Sequence, residues 1–159
     1  MSTQDYTQYG LEPLFSVGLE DDVVPIVFRV VLEGKKGKVV LRYEQVGTGH
    51  DFITIAENSL VEIQLVGDQL FFSKQYDAIT TKEPLASYYG GLTYDDYDAD
   101  LDRYKTVQFQ ARYNQGGKYG TCHGFNINID LLQNPKGKKP HWIGLSIDPD
   151  IKNPPPKDD

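Results

Sequence analysis

From Phe125 to Leu131 the chain alternates without a break, with Phe125, Ile127, Ile129 and Leu131 on one side and Asn126, Asn128 and Asp130 on the other. A period of two belongs to a β-strand, whose successive side chains point to opposite faces. The pattern predicts a strand with one dry face and one wet face, the wet face uncharged apart from Asp130. The same rhythm recurs upstream. Ile26, Phe28, Val30 and Leu32 alternate with Val27, Arg29, Val31 and Glu33, and across the turn Gly34-Lys35-Lys36-Gly37 they are answered by Val39, Leu41 and Tyr43. Val61, Ile63 and Leu65 alternate with Glu62 and Gln64, and Val107, Phe109, Ala111 and Tyr113 with Gln108, Gln110, Arg112 and Asn114. Shorter strand candidates fall at 14–19, 52–56, 69–74 and 141–147.

No stretch carries a helical spacing of useful length, so the helical crossovers of a βαβ fold are missing. Some eight short strands, with turn residues roughly every 8–12 positions, predict an all-β chain: a single antiparallel β-sandwich of immunoglobulin-like or jelly-roll type. The rhythm fails across 76–104, which holds Pro84, Gly90, Gly91, several tyrosines and a run of aspartates. So long an irregular insert is either functional or disordered. The expected organisation is one domain over 1–159, with 1–12 a flexible arm, 76–104 an insert loop and 149–159 a proline-rich tail.

Composition narrows the class. At 159 residues the chain can bury a core without staples, and 12% aromatic residues, including 11 tyrosines, supply bulk for half-buried sheets. The net charge of −7 argues against nucleic acid or an anionic membrane as partner, since both reward a basic surface. A single cysteine, Cys122, rules out an intramolecular disulfide and reads as a small core residue. No run approaches the ~20 apolar residues of a membrane helix, and residues 1–10 lack the apolar stretch of an export signal. A cytoplasmic protein is the expectation.

Candidate chemistry concentrates in the insert. Asp96, Asp98, Asp100 and Asp102 stand at alternate positions, and several carboxylates on one loop suit Ca²⁺, which takes about six to eight oxygen ligands. The spacing departs from an EF-hand, with Leu101 where the glycine belongs and Val107 where the bidentate glutamate belongs. The set is a weak calcium candidate beside the plainer reading of a solvated loop, and no other cofactor is implied. Tyr88, Tyr89, Tyr94, Tyr97 and Tyr104 interleave with these acids. Rings beside carboxylates can hold a sugar, or the rings can simply pack the loop down. Trp142 lies opposite Ile143, Leu145 and Ile147 on its strand, as a ligand platform, an interface anchor or the cover of a loop base. Cys122 and His123 are adjacent and so point to opposite faces, the wrong geometry for a thiolate–imidazole pair. The three histidines lack zinc-ligand spacing, and no phosphate-loop, dinucleotide or nucleophile-elbow motif is present. Glu44, His50 and His123 are only nominal catalytic candidates. Lys35, Lys36 and Lys38, with Lys136, Lys138 and Lys139, form two basic turns that either keep sheet edges soluble or meet the acidic loop of a second copy.

The close of the chain, Ile147-Asp148-Pro149-Asp150-Ile151-Lys152-Asn153-Pro154, resembles the ending of the inclusion-body proteins of the PixA/AidA type and of the related small bacterial DP–EP proteins. In that reading Asp148, Pro149, Ile151, Asn153 and Pro154 form a structural signature, Pro149 stopping the strand because it cannot donate to the ladder. The resemblance implies a soluble bacterial β-sandwich without assigned chemistry. The expected function is therefore non-enzymatic: a protein that self-associates as a homo-oligomer or binds a partner through the 76–104 insert. The alternative is a carbohydrate-binding module, calcium-assisted or not, using the tyrosines and aspartates of the insert on a glycan.

Overall fold

In a computed structural model, residues 9–81, 83–85, 87–113, 121–133 and 139–153 are described. They form an all-β protein of two sheets, with no helix among them. Among the described residues, then, no helix is long and apolar enough to cross a membrane. The first sheet is organised around the 13-residue strand β10 (Thr121–Gln133). One edge of β10 pairs with β7 (Ile79–Thr81) and then β6 (Leu70–Phe72), the other with β12 (Asp150–Asn153) and then β11 (His141–Ile147). β1 (Tyr9–Gly10) extends the sheet beyond β7, and β4 (Ile53–Thr54) beyond β12. The second sheet has the order β3 (Lys38–Gln45), β2 (Ile26–Lys35), β5 (Ser59–Val66), β9 (Arg103–Ala111), β8 (Tyr89–Asp98).

The alternating stripes become the core. Phe28 and Val30 of β2, Val61 and Ile63 of β5 and Val107 and Phe109 of β9 pack into one cluster with Phe72, Ile79, Phe125, Ile127 and Ile129 of the other sheet. Burial of each such side chain stabilises by about 1.5–3 kcal/mol. The Lys-rich hairpin also folds as expected. Lys36 and Gly37 both take positive φ (50° and 75°), the pairing that suits a two-residue hairpin turn. Lys136 and Lys138 of the second basic turn lie outside the described residues.

Several expectations are corrected. Pairing is mixed rather than antiparallel throughout, because β2 runs parallel to β5 and β12 parallel to β4. The segment 76–104 is not an irregular insert: β7 and the ten-residue β8 lie within it, and β8 makes a hairpin with β9. Its period was hidden by a register shift between Gly90 and Thr93. That irregularity is imposed by packing. A Cβ on Gly90 would come within 2.3 Å of the Phe15 Cβ and 2.4 Å of the Glu12 carbonyl, and Gly91 takes φ +66°. The stretch 14–19 forms no strand; it crosses these glycines, with Glu12 bridged to Gly90. Within the expected arm, Tyr9 and Gly10 are paired with β7. Within the expected tail, Pro149 interrupts rather than ends the edge, since β12 resumes the pairing one residue later. Pro149 is buried and its carbonyl accepts the Phe125 N–H at 3.1 Å. Of the five signature residues, Asp148, Pro149 and Ile151 surround this break and Asn153 ends β12, while Pro154 lies outside the described residues. Cys122 is exposed, not a core residue.

Candidate functional site

The expected wet face of β10 is dry. Asn126, Asn128 and Asp130 are only 7%, 4% and 8% exposed. Buried amides and carboxylates are costly unless hydrogen-bonded, and these are. The Asn128 amide donates to the Asp77 carbonyl (2.8 Å) and to Thr80 Oγ1 (3.1 Å), and its oxygen accepts from Ser146 Oγ (3.0 Å). Asp130 Oδ2 accepts the Lys74 backbone N–H (3.2 Å) and Arg103 Nε (2.8 Å). The segment 73–78, which links β6 to β7, rises over this face. Ser73 Oγ shapes it, accepting the N–H groups of Gln75 and Tyr76.

Arg103 arrives from the other sheet. It shares a face of β9 with Val107, Phe109 and Ala111, so the stripe that fills the core continues as Lys105 and Arg103 where the strand runs past the core. Lys105 Nζ lies 4.3 Å from the Phe71 ring centroid and donates to the Gly67 and Leu70 carbonyls, and burial lowers its pKa. The Arg103 guanidinium stacks 3.6 Å over Trp142, which meets Phe71 edge-on, and its Nη1 donates to the Leu101 carbonyl at 2.9 Å. With side chains 13% and 11% exposed, Arg103 and Asp130 form a largely buried ion pair.

Around this pair lie three contiguous depressions. One, ≈ 290 Å³, is lined by the segment 72–77 with Tyr94, Asp102, Arg103 and Tyr104. A second, ≈ 370 Å³, lies against Asn128, Asp130 and Ser146, and a third, ≈ 350 Å³, against Arg103, Asp130 and Trp142. Gln75 lines all three. Tyr104 stands between Tyr94 and Tyr97, with ring centroids 5.2 and 4.9 Å away. The Tyr94 hydroxyl accepts the Ala78 N–H at 3.0 Å, and burial raises its pKa. Tyr97 is exposed and its hydroxyl donates to Asp102, a bond to the carboxylate that raises the phenol's pKa. Asp102 also accepts from Lys74 Nζ, the chief reason its own pKa is lowered.

The sequence-derived candidates therefore separate. Tyr94, Tyr97, Trp142 and Asp102 come together here with Asp130, the one charge in the alternating stripe of β10, and with Lys74, Tyr76 and Arg103, to which the sequence assigned no role. The signal for Arg103 and Lys105 was present, as two cations extending an apolar stripe. Tyr89 does not belong to a ligand surface: it is 2% exposed, its ring packs on Phe109, and its hydroxyl lies 2.6 Å from His123 Nδ1. Tyr88 packs against the same imidazole, whose pKa is lowered by burial. Asp96, Asp98, Asp100 and Asp102 do not converge. Asp96 accepts from Thr106 Oγ1, Asp98 caps the Leu101 N–H at 3.0 Å, Asp100 is exposed in the hairpin turn, and Asp102 faces Lys74. Regular alternation would put Asp96 and Asp98 on one face of β8, but Asp96 takes φ +56°, which breaks the pleat, and the turn then reverses the chain. Among the described residues no group of three or more His, Cys, Asp or Glu side chains is placed to hold a metal. Glu44 pairs with Arg42, His50 stacks on Phe52, and neither meets His123.

Over residues 1–156 the chain matches the family described as "predicted novel nucleotide synthetase", and it belongs to that family. No curated protein matches it. Membership overturns the resemblance to inclusion-body proteins, which rested on a proline break in one edge strand and on the end of the chain alone. It also overturns the expectation of a non-enzymatic, self-associating protein and its carbohydrate-binding alternative, because the family is described as one of predicted nucleotide synthetases, a description that points to an enzyme.

Proposed function

We propose that the protein is an enzyme of nucleotide chemistry, and that its nucleotide lies in the depressions around Arg103. The observation that carries this reading is the lining of the ≈ 290 Å³ cleft, where the tyrosines at 76, 94 and 104 share a wall with Lys74 and Arg103. A nucleotide offers a flat base and an anionic phosphate. Aromatic rings take the first by stacking, worth about 1–3 kcal/mol per base, and basic side chains take the second. Small-ligand sites occupy about 300–1,000 Å³, a range the cleft reaches together with its two neighbours.

This reading treats the two sheets as the layers of a β-sandwich, supported by the core cluster to which both contribute. It carries with it a cytoplasmic location, where nucleotide pools are kept. The test is to incubate the protein with nucleosides, sugar phosphates and nucleoside triphosphates, separate the products chromatographically, and follow backbone amide shifts in parallel. A new nucleotide product, with shifts confined to 72–77 and 102–104 and activity lost in Tyr104→Ala, is the expected result. Shifts that map elsewhere, or turnover unchanged in Tyr104→Ala, would overturn the placement.

A further inference from the structure

Resting on that reading and deepening it, we infer that the ligand's phosphate seats between Lys74 and Arg103, in the place the Asp102 carboxylate now occupies. Both cations are built onto one anchor, for the Lys74 backbone N–H and Arg103 Nε donate to the same Asp130 oxygen. Arg103 is held on three sides, by Asp130, by the Leu101 carbonyl and by the Trp142 ring. Among the described residues no acceptor reaches its Nη2, so the fork keeps one donor edge for a ligand. A guanidinium fixed in this way loses little freedom on binding an oxyanion.

Asp102 marks the seat. Its carboxylate takes Lys74 Nζ and the Tyr97 hydroxyl, and it feels Arg103 as well. Its hold is weak, because the Lys74–Asp102 pair is more than half exposed (57% and 55%) and exposed pairs contribute little. Asp102 also sits at φ +53°, a left-handed backbone conformation that a non-glycine residue adopts at a cost. The charge balance makes the displacement specific. Asp77 and Asp102 line the cleft with the two cations, and Asp130 already neutralises Arg103, so an added anion is opposed while Asp102 stays and meets a freed Lys74 in a neutral lining once Asp102 turns out. Asp102 is thus an internal competitor for phosphate. A substrate richer in phosphate is favoured over a neutral nucleoside, because only the phosphate can take both cations at once.

Titration calorimetry with inorganic pyrophosphate, AMP, adenosine and sulfate, on the full chain and its variants, tests this. Asp102→Asn, which removes the competitor and keeps the shape, is expected to tighten pyrophosphate and AMP about tenfold, a change equivalent to one lost charge contact. Lys74→Ala and Arg103→Lys are expected to weaken both by a similar factor, with adenosine unaffected. Glu62→Gln, on the outer face of β5 where it meets Gln64 and Gln108, serves as a control and changes nothing. Amide spectra establish that each variant is folded; if Arg103→Lys is not, Asp102→Asn and Lys74→Ala decide. AMP binding that is indifferent to both of those changes overturns the phosphate seat but leaves the nucleotide reading standing. Pyrophosphate binding with the expected variant pattern, but no gain from AMP and no nucleotide product, keeps the seat and removes the nucleotide reading. Equal affinity for sulfate and pyrophosphate, or no binding by either phosphate probe, overturns the inference.

Discussion

β5 and β10 carry the same alternating pattern and put it to opposite uses. On β5, Val61, Ile63 and Leu65 enter the core while Glu62 and Gln64 face outward in a partly exposed ladder. Arg29 Nε donates to Gln64 (2.9 Å), Gln64 to Glu62, and Gln108 to Glu62 (2.7 Å). Water competes for every bond of that ladder, so each contributes little. On β10 the corresponding positions, Asn126, Asn128 and Asp130, are covered by the segment 73–78, by Ser146 of β11 and by Arg103. There the same kind of side chain sits where an unmade bond carries its full desolvation penalty. Polar groups on an outer face can be spectators; polar groups enclosed on both faces of a strand hold parts of the molecule in place.

That contrast can be broken most sharply at the ion pair. Arg103→Ala leaves Asp130 buried without its partner and is expected to destabilise the fold by about 3–5 kcal/mol, read as a lower midpoint in urea unfolding. Changing Arg103 and Asp130 together to apolar residues of similar volume should recover most of that loss. A double variant as unstable as the single one would show that the pair does more than balance itself. Next in size is Asn128→Ala, which strips partners from Thr80, Ser146 and the Asp77 carbonyl; a loss of about 1–3 kcal/mol is expected by the same measurement.

A smaller effect should appear with pH in the first half of β10. Burial lowers the pKa of His123, so the unfolded chain binds this proton more readily than the folded one. Its contribution to stability is whole above the ordinary histidine value of about 6.5, declines as the pH falls through that value toward the lower folded pKa, and then levels off. His123→Gln, still able to meet the Tyr89 hydroxyl, should flatten that part of the profile. A decline of the same slope in the variant would assign it to other groups. Smallest of all, Glu62→Ala on β5 should change stability by less than about 1 kcal/mol. A loss as large as that of Asn128→Ala would erase the distinction between the two strands.

The sequence by itself determined the all-β class and most of the core. The stripes of β2, β5, β9 and β10 are legible because one face of a strand must leave water, and period two records which face. It also exposed the Pro149 break, though not that pairing resumes beyond it. Only the tertiary structure decided that the second face of β10 is closed too, because a polar residue bound to water and one bound to a buried partner have the same letter. β8 stayed hidden because its rhythm yields to the close approach of Phe15 and Glu12 at Gly90. The site was illegible for a related reason. Lys74, Arg103, Asp130 and Trp142 are far apart in the chain, and they meet because one segment rises over β10 while β9 runs on past the core, a long-range arrangement that no local spacing records.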